Sequence, residues 1–241
     1  MVVDLNKTLH KALIASPAIN ERLDAAIMVK AAREPQREYL GASSIGHECL
    51  RRIHWDWRRP QLPDAKSQRV FWRGHTWEDY TAKLFVQAGF DLRRGGPEAG
   101  FIQADGRFRG HCDGIFHKGP EIEGVGYPCL WEAKALGETS YRAIERDGLK
   151  KAKPEYYSQV QLYMAYLGLT EHPAIFTIND VSKGQILHLL VPFNPEAAQQ
   201  ASDRAVTVLQ ADVHGETLPR VSDDPEFWLC KMCSHKIACH S

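Results

Sequence analysis

The clearest pattern in the chain is residues 129–136, CLWEAKAL, an apolar run interrupted by Glu132 and Lys134 at alternate positions. In a strand, residues i and i+2 point to the same face. An acid and a base therefore project side by side from what reads as a core strand. Burying charge is costly unless it is paired or holds a metal, so this strand asks for a reason. Around it, helical spacing covers residues 4–34, interrupted near Ser16-Pro17, with Leu23, Ile27 and Met28 on one face. Residues 35–42 read as a loop. Ser43 or Ser44 then caps a helix running through Cys49 to about Trp57. After the two-proline loop RRPQLPDAKS, the stretch QRVFWRGHTWEDYTAKLFVQAG predicts a long amphipathic helix ending at Gly89.

A β region follows. FIQADGRFRGHCDGIF contains Asp105-Gly106, the signal of a two-residue hairpin, and KGPEIEGVGYP supplies a second turn before CLWEAKAL. TSYRAIERDG and KPEYYSQVQLYMAYLG predict helices, the second with Pro154 in its first turn and Gly168 at its end. PAIFTIND and GQILHLLVPF read as strands, and NPEAAQQASDRAVTVLQADVHG as a helix. From Leu218 the tail is irregular and rich in Cys and His. This order predicts the α/β class, a mixed sheet flanked by helices in one domain over 1–241. Residues 1–42 would be a helical extension, 43–217 the core, and 218–241 a Cys-rich tail packing on the Cys49 helix.

Composition changes this picture little. The chain has 241 residues, 44% apolar and 25% charged, the ordinary mix of a soluble globular protein. No run of about 18 apolar residues predicts a membrane span. No signal peptide is recognisable in MVVDLNKTLHKALIASP, so a cytoplasmic location is expected. Formal net charge is zero, without the excess of base that often marks nucleic-acid proteins. Arginines do cluster, at Arg51, Arg52, Arg58 and Arg59, and again at Arg93, Arg94, Arg107 and Arg109. Of the six cysteines, Cys112 and Cys129 fall on strands and read as small buried residues. In a cytosolic chain the others are thiols or metal ligands before they are disulfides.

Asp113, in RGHCDGIF, lies on the strand segment before the one carrying Glu132. If the two strands pair, Asp113 faces Glu132 and Lys134. Two carboxylates converging at a strand end make a hard-oxygen site for Mg²⁺ or Mn²⁺, and a nearby lysine can orient water or stabilise charge on a phosphate. A surface ion pair is the plain alternative for an isolated Glu-x-Lys. The apolar neighbours, the preceding Asp113 and the helix that follows favour chemistry.

Asp113 followed by Glu132-Ala133-Lys134 resembles the core of the PD-(D/E)xK nuclease superfamily, with His111-Cys112-Asp113-Gly114 where the family name has a proline. Gly74-His75-Thr76-Trp77-Glu78 resembles the G-x-x-x-E element of RecB-like and lambda-exonuclease-like enzymes, and Tyr157-Ser158-Gln159-Val160-Gln161-Leu162-Tyr163 resembles their Gln-Tyr helix. The resemblance spans roughly residues 43–195 and implies a restriction-endonuclease-like core. It implies that Asp113, Glu132, the Ala133 carbonyl and Glu78 hold one or two Mg²⁺ or Mn²⁺ ions. Lys134 would polarise the attacking water, and Gln161 would orient it. Gln159 with Tyr163 is the competing alignment, since only one glutamine can face the site. Arg51, Arg52, Arg109, Lys151 and Lys153 are candidate DNA contacts. Tyr157 and Tyr163 serve either the substrate or the core.

The tail, Cys230-Lys231-Met232-Cys233-Ser234-His235-Lys236-Ile237-Ala238-Cys239, has C-x₂-C-x₅-C spacing. Three thiolates so close call for a metal and a fourth ligand, for which Cys49 is the candidate. By spacing alone, zinc and iron–sulfur both fit, with His47, His235 and His240 available to zinc. The layout resembles iron–sulfur RecB-like nucleases of the CRISPR-associated and AddB type, which implies a [4Fe-4S] cluster on Cys49, Cys230, Cys233 and Cys239. The resemblance further implies DNA as substrate, exonuclease action at DNA ends, and a recombination or CRISPR-adaptation protein as partner. Oligomeric state is not legible. The alternatives are a zinc-clasped, catalytically inactive nucleic-acid- or protein-binding module on the same fold, and an iron–sulfur protein of electron transfer.

Overall fold

The computed structural model of the chain describes residues 16–241, so the part of the expected first helix at 4–15 lies outside the described residues. Two compact units emerge. One takes the residues up to Gln36 together with Leu62–Arg73, the other Arg37–Gln61 and Gly74–Ser241. In the first, helix α1 (Ser16–Ala31) meets the opening turns of a long helix α3 (Ala65–Gln87). Asp24 pairs with Arg69, and the Lys30 ammonium lies 4.7 Å from the Trp72 ring centre.

The second unit carries two sheets. Its elements are β1 (Leu40–Gly41), α2 (Leu50–Arg58), β2 (Asp91–Arg93), β3 (Gly100–Gln103), β4 (Phe108–His111), β5 (Gly114–Lys118) and β6 (Cys129–Leu136). Then come α4 (Glu138–Asp147), α5 (Leu149–Ala152), α6 (Pro154–Leu167), β7 (Ala174–Asp180), β8 (Ile186–Val191), α7 (Pro195–His214), α8 (Trp228–Lys231) and α9 (Lys236–His240). The larger sheet has the order β2-β5-β6-β7-β8, and the smaller β1-β4-β3. Only β6 and β7 pair in parallel in the larger sheet, joined by α4, α5 and α6 as a crossover. Every residue of β7 is buried, as are the first five of β6, which is why both read as near-continuous apolar runs.

Alternation divides the core. Trp131 and Ile175 face Ala82 and Phe85 of α3, whereas Leu130, Phe176 and Ile178 face Val160, Leu162 and Met164 of α6. Helix α6 starts on Pro154 and ends on Gly168 at φ 69°, as the sequence predicts. Helix α7 is capped by Asn194, whose side chain accepts from the Ala197 N–H at 2.8 Å.

Three local expectations are corrected. The hairpin at Asp105-Gly106 is not a two-residue turn, because Gln103 pairs with Phe108 and leaves four residues between. Ala104 (φ 51°) and Asp105 (φ 54°) take left-handed backbone along with Gly106, and the loop widens to hold them. Neither Ser43 nor Ser44 caps α2. Both lie in a 3₁₀ turn where Ser44 Oγ donates to the Gly41 carbonyl at 2.7 Å, and Cys49 occupies the N-cap instead. The expected loop at 35–42 contains β1, and β2 went unpredicted. Two- and three-residue strands are too short to show alternation.

The Asp212 carboxylate of α7 gathers His54 (3.2 Å) and Arg58 (2.5 Å) from α2 and Arg107 (2.7 Å) beside β4. Hydrogen bonding from Arg58 leads the effects that depress its pKa to about 2, against the opposing effect of burial. Its contribution is therefore present above the ordinary carboxylate range and is lost as pH falls toward 2. Asp212→Ala is expected to lower the urea unfolding free energy by about 1–2 kcal/mol at pH 7, and to flatten the loss of stability below pH ~4.

Candidate active site

The ladder of β5 on β6 stops at Gly114↔Trp131. Just before β5, Asp113 turns its carboxylate onto the next strand, and Oδ2 accepts the Ala133 N–H at 2.7 Å. Gly114 is required here, because a Cβ would sit 2.7 Å from Leu92 Cδ1 and 2.9 Å from the Arg93 carbonyl of β2. The Asp113-Gly114 step thus brings a carboxylate against the middle of β6. From β6, Glu132 and Lys134 point toward α6, and Lys134 Nζ donates to Glu132 Oε1 at 2.5 Å.

Glu132 is 1% exposed. Its Oε1 also accepts from Gln159 Nε2 of α6 at 2.7 Å, and Gln159 stands 3.2 Å from Tyr163 Oη. Its Oε2 is buried with no hydrogen-bond partner. Burial foremost, then the Asp113 charge, pushes the Glu132 carboxyl up to about 8 against the pull of Lys134. Burial would lower the Lys134 ammonium, but Glu132 and Asp113 outweigh it and hold it above lysine's ordinary value. Glu78, on α3, is raised by burial and by Asp113, and it pairs with Arg94. A buried oxygen without a partner, beside a second carboxylate, is a donor set that fits a hard divalent cation.

The structure therefore brings together Asp113, Glu132, Ala133, Lys134 and Glu78. Gln161 is a correction. It lies two residues, about 200° of helix, from Gln159, and faces away. Its Nε2 donates to the Pro192 carbonyl at 3.1 Å and its Oε1 accepts the Asn194 N–H at 2.7 Å, so it pins α6 to the β8–α7 junction. Gln159 takes the place expected of it. Tyr163 is 2% exposed, supports Gln159 and packs on Phe101 at 6.2 Å, which removes it from the candidate DNA contacts. Tyr157 is half-buried, with Lys150 Nζ 5.6 Å from its ring centre.

The candidate basic contacts divide. Lys151 is exposed, pairing with Asp147 at 3.2 Å, and Lys153 is 3.7 Å from Glu155. Three arginines are engaged by other groups of the chain. Arg51 donates to the Leu218 carbonyl (2.6 Å) and to Cys239 Sγ (3.3 Å). Arg52 binds Asp56 (3.3 Å) and faces His47 (3.1 Å). Arg109 donates to the Gly106 carbonyl (2.9 Å) and lies over Tyr39. Arg51 holds the tail and Arg109 a loop by supplying donors to their carbonyls and a sulfur, whereas Arg52 makes a surface pair. Two site residues escaped the sequence reading. Tyr156 has its ring centre 5.4 Å from Lys134 Nζ, and Arg94 sits on Glu78. No motif marks either.

Cys49, Cys230, Cys233 and Cys239 line one small cavity of about 20 Å³, together with Arg51 and His240. The Cys230 thiol is pushed up by burial and by its three sulfur neighbours. His235 is committed elsewhere, with Nε2 at 2.8 Å from Asp56 and its ring edge-on to Trp55. His47 Nδ1 accepts the Cys49 N–H at 3.1 Å. Among the described residues, no group of three or more His, Cys, Asp or Glu is arranged to hold a metal ion as the side chains stand. Cys112 and Cys129 are buried, and burial raises both thiols, Cys129 to about 12, so they stay protonated and unreactive. No helix among the described residues is long and apolar enough to cross a membrane.

No family model matches the chain, and no curated protein matches it in sequence. Solved structures do. A protein described as SSO0001 superposes with a TM-score of 0.53 at 13% identity, over 92% of this chain and 96% of that one. The alkaline exonuclease LHK-Exo of Laribacter hongkongensis gives 0.51 at 17% identity over 81% and 95%, and its complex with dAMP gives 0.50 at 18%. The chain thus shares the fold of an alkaline exonuclease, a mixed sheet flanked by helices.

With its pKa raised, Glu132 keeps a proton in the folded metal-free protein that the unfolded chain releases. Its contribution to stability therefore falls as pH rises from the ordinary carboxylate range toward 8. Glu132→Gln removes that dependence. In metal-free melts the variant is expected to gain on the wild type between pH 5 and pH 8, by at most about 1.4 kcal/mol per pH unit. Parallel curves would show that Glu132 does not titrate in this range.

Proposed function

We propose that the chain is a Mg²⁺- or Mn²⁺-dependent nuclease that hydrolyses DNA phosphodiesters from DNA ends. One observation carries the reading: Glu132, fully buried and paired through Oε1 with a charged Lys134, keeps its other oxygen unpartnered on the strand whose Ala133 N–H holds Asp113. The likeness of fold to an alkaline exonuclease supports DNA and end-directed action. Asp113, Glu132 and the Ala133 carbonyl are the residues that would hold the ion, with Glu78 supporting them from α3. When bound, the ion polarises a phosphoryl oxygen and makes water a stronger nucleophile.

The rest is the work of the chain. Gln159, braced by Tyr163, fixes Glu132 Oε1 and leaves Oε2 to the ion. The Ala133 N–H fixes Asp113 in the same way through Oδ2. Lys134 stays protonated beside Glu132 and is a quarter exposed, so its ammonium can meet a phosphate oxygen or orient water in line with the scissile bond. Lys151, Lys153 and Tyr157, on the same side as α6's first turn, are the remaining candidate contacts for the DNA strand.

The four cysteines are proposed to hold a [4Fe-4S] cluster. Their donor chemistry fits a soft metal group, and Arg51 already donates to Cys239. Held there, the group would clasp the start of α2 to the tail and close a loop of most of the chain. A single nuclease domain, a cytoplasmic location, and a partner from recombination or CRISPR adaptation complete the proposal.

Glu132→Ala and Lys134→Ala are each expected to fold and to lose at least about 100-fold in Mn²⁺-dependent cleavage of end-labelled DNA. Cleavage persisting in a folded Glu132→Ala protein would refute the site. Gln159→Ala is expected to reduce cleavage about tenfold, whereas Gln161→Ala should leave it intact and lower stability by about 1–3 kcal/mol. For the clasp, anaerobically purified protein is expected to contain about four irons and matching sulfide per chain. Cys233→Ser should lose them. About one zinc and no iron would replace the cluster with a zinc clasp.

A further inference from the structure

The acidic site contains a fixed cation besides Lys134. Arg94, just after β2, spends its guanidinium on three acceptors around the site. Nη2 pairs with Glu78 Oε1, Nη1 donates to Asp79 Oδ1 at 2.8 Å, and Nε donates to the Asp113 carbonyl at 3.2 Å. The group also lies 5.8 Å from the Trp131 ring centre. Arginine stays charged at any working pH, and its rigid fork is suited to holding two carboxylates at once. Glu78 therefore has its counter-ion built in.

The charges then sort into two sides. On one, Glu132 pairs with Lys134, Asp113 is held beside them by the Ala133 N–H, and Glu132 Oε2 is left without a partner. That is a seat for one divalent ion. On the other, Glu78 and Asp79 are matched by Arg94. A second ion brought to Glu78 would stand against the guanidinium and break its hydrogen bonds. We infer that Arg94 takes the place of a second metal, restricting the site to one divalent ion per chain and holding Glu78 as a supporting acid. This rests on the reading of Asp113 and Glu132 as metal ligands.

Equilibrium dialysis of the full metal-stripped chain against Mn²⁺, with bound ion counted, tests it. Mn²⁺ retained by an Asp113→Asn/Glu132→Gln double variant is subtracted as background from elsewhere. The wild type is expected to hold one ion above that background. Arg94→Ala and the milder Arg94→Gln, which keeps a donor without the charge, are each expected to hold two, and Arg94→Lys one. Circular dichroism reports folding, so either neutral variant suffices if the other fails to fold. Two ions in the wild type, or one in the folded neutral variants, would overturn the inference. No ion above background in the wild type would overturn the metal-site reading and this inference with it.

Discussion

A carboxylate with almost no access to water organises this molecule. Glu132 sits in the middle of β6, between sheet and helix, where an unpaired charge is costly. Its neighbours answer that cost in part: Lys134 donates from the same strand face, and Gln159 donates from α6. Asp113 works in the other direction by adding a second negative charge at the Ala133 N–H. The imbalance raises the Glu132 carboxyl and leaves one oxygen unsatisfied. A protein selected only for stability would place an apolar residue there. Keeping a carboxylate there instead costs stability, the pattern of a functional rather than a structural residue.

Much of this was legible. CLWEAKAL announces itself because two charges interrupt an apolar strand at the strand's own period, and Asp113 followed because Gly114 and the turn at 119–128 set up the neighbouring strand. The glutamine was harder. Gln159 and Gln161 stand on opposite sides of α6, and a helix buried along most of its length offers no polar face to say which points inward. Only the packing of Tyr163 under Phe101, and of Gln161 on the β8–α7 junction, decides it. Arg94 stood out only as one of a cluster of arginines, with no sign of its role. Its role depends on β2 lying beside β5, and a three-residue edge strand leaves no pattern to read.

Several arginines that the sequence groups together are engaged within the fold. Arg51, Arg52, Arg58, Arg107 and Arg109 each bond a carbonyl, a sulfur or a carboxylate of the chain itself. Arg204 belongs with them, donating to the Ile45 and His47 carbonyls in the segment leading to Cys49. That segment is packed so tightly on α6 that a Cβ at Gly46 would meet the Glu155 backbone at 2.5 Å. The segment before Cys49 and the acidic site therefore lean on the same helix, α6, which carries Gln159 to Glu132. Packing around Cys49 and geometry at the acid are parts of one packing problem.

The most direct test of this account is a time course of the wild-type chain on two substrates of the same sequence, a linear duplex and its covalently closed circle, in Mn²⁺ with and without EDTA. The account predicts that the linear DNA is consumed from its ends, that the closed circle survives, and that EDTA stops the reaction. Failure to cleave either substrate in Mn²⁺, or cleavage undiminished by EDTA, would contradict it.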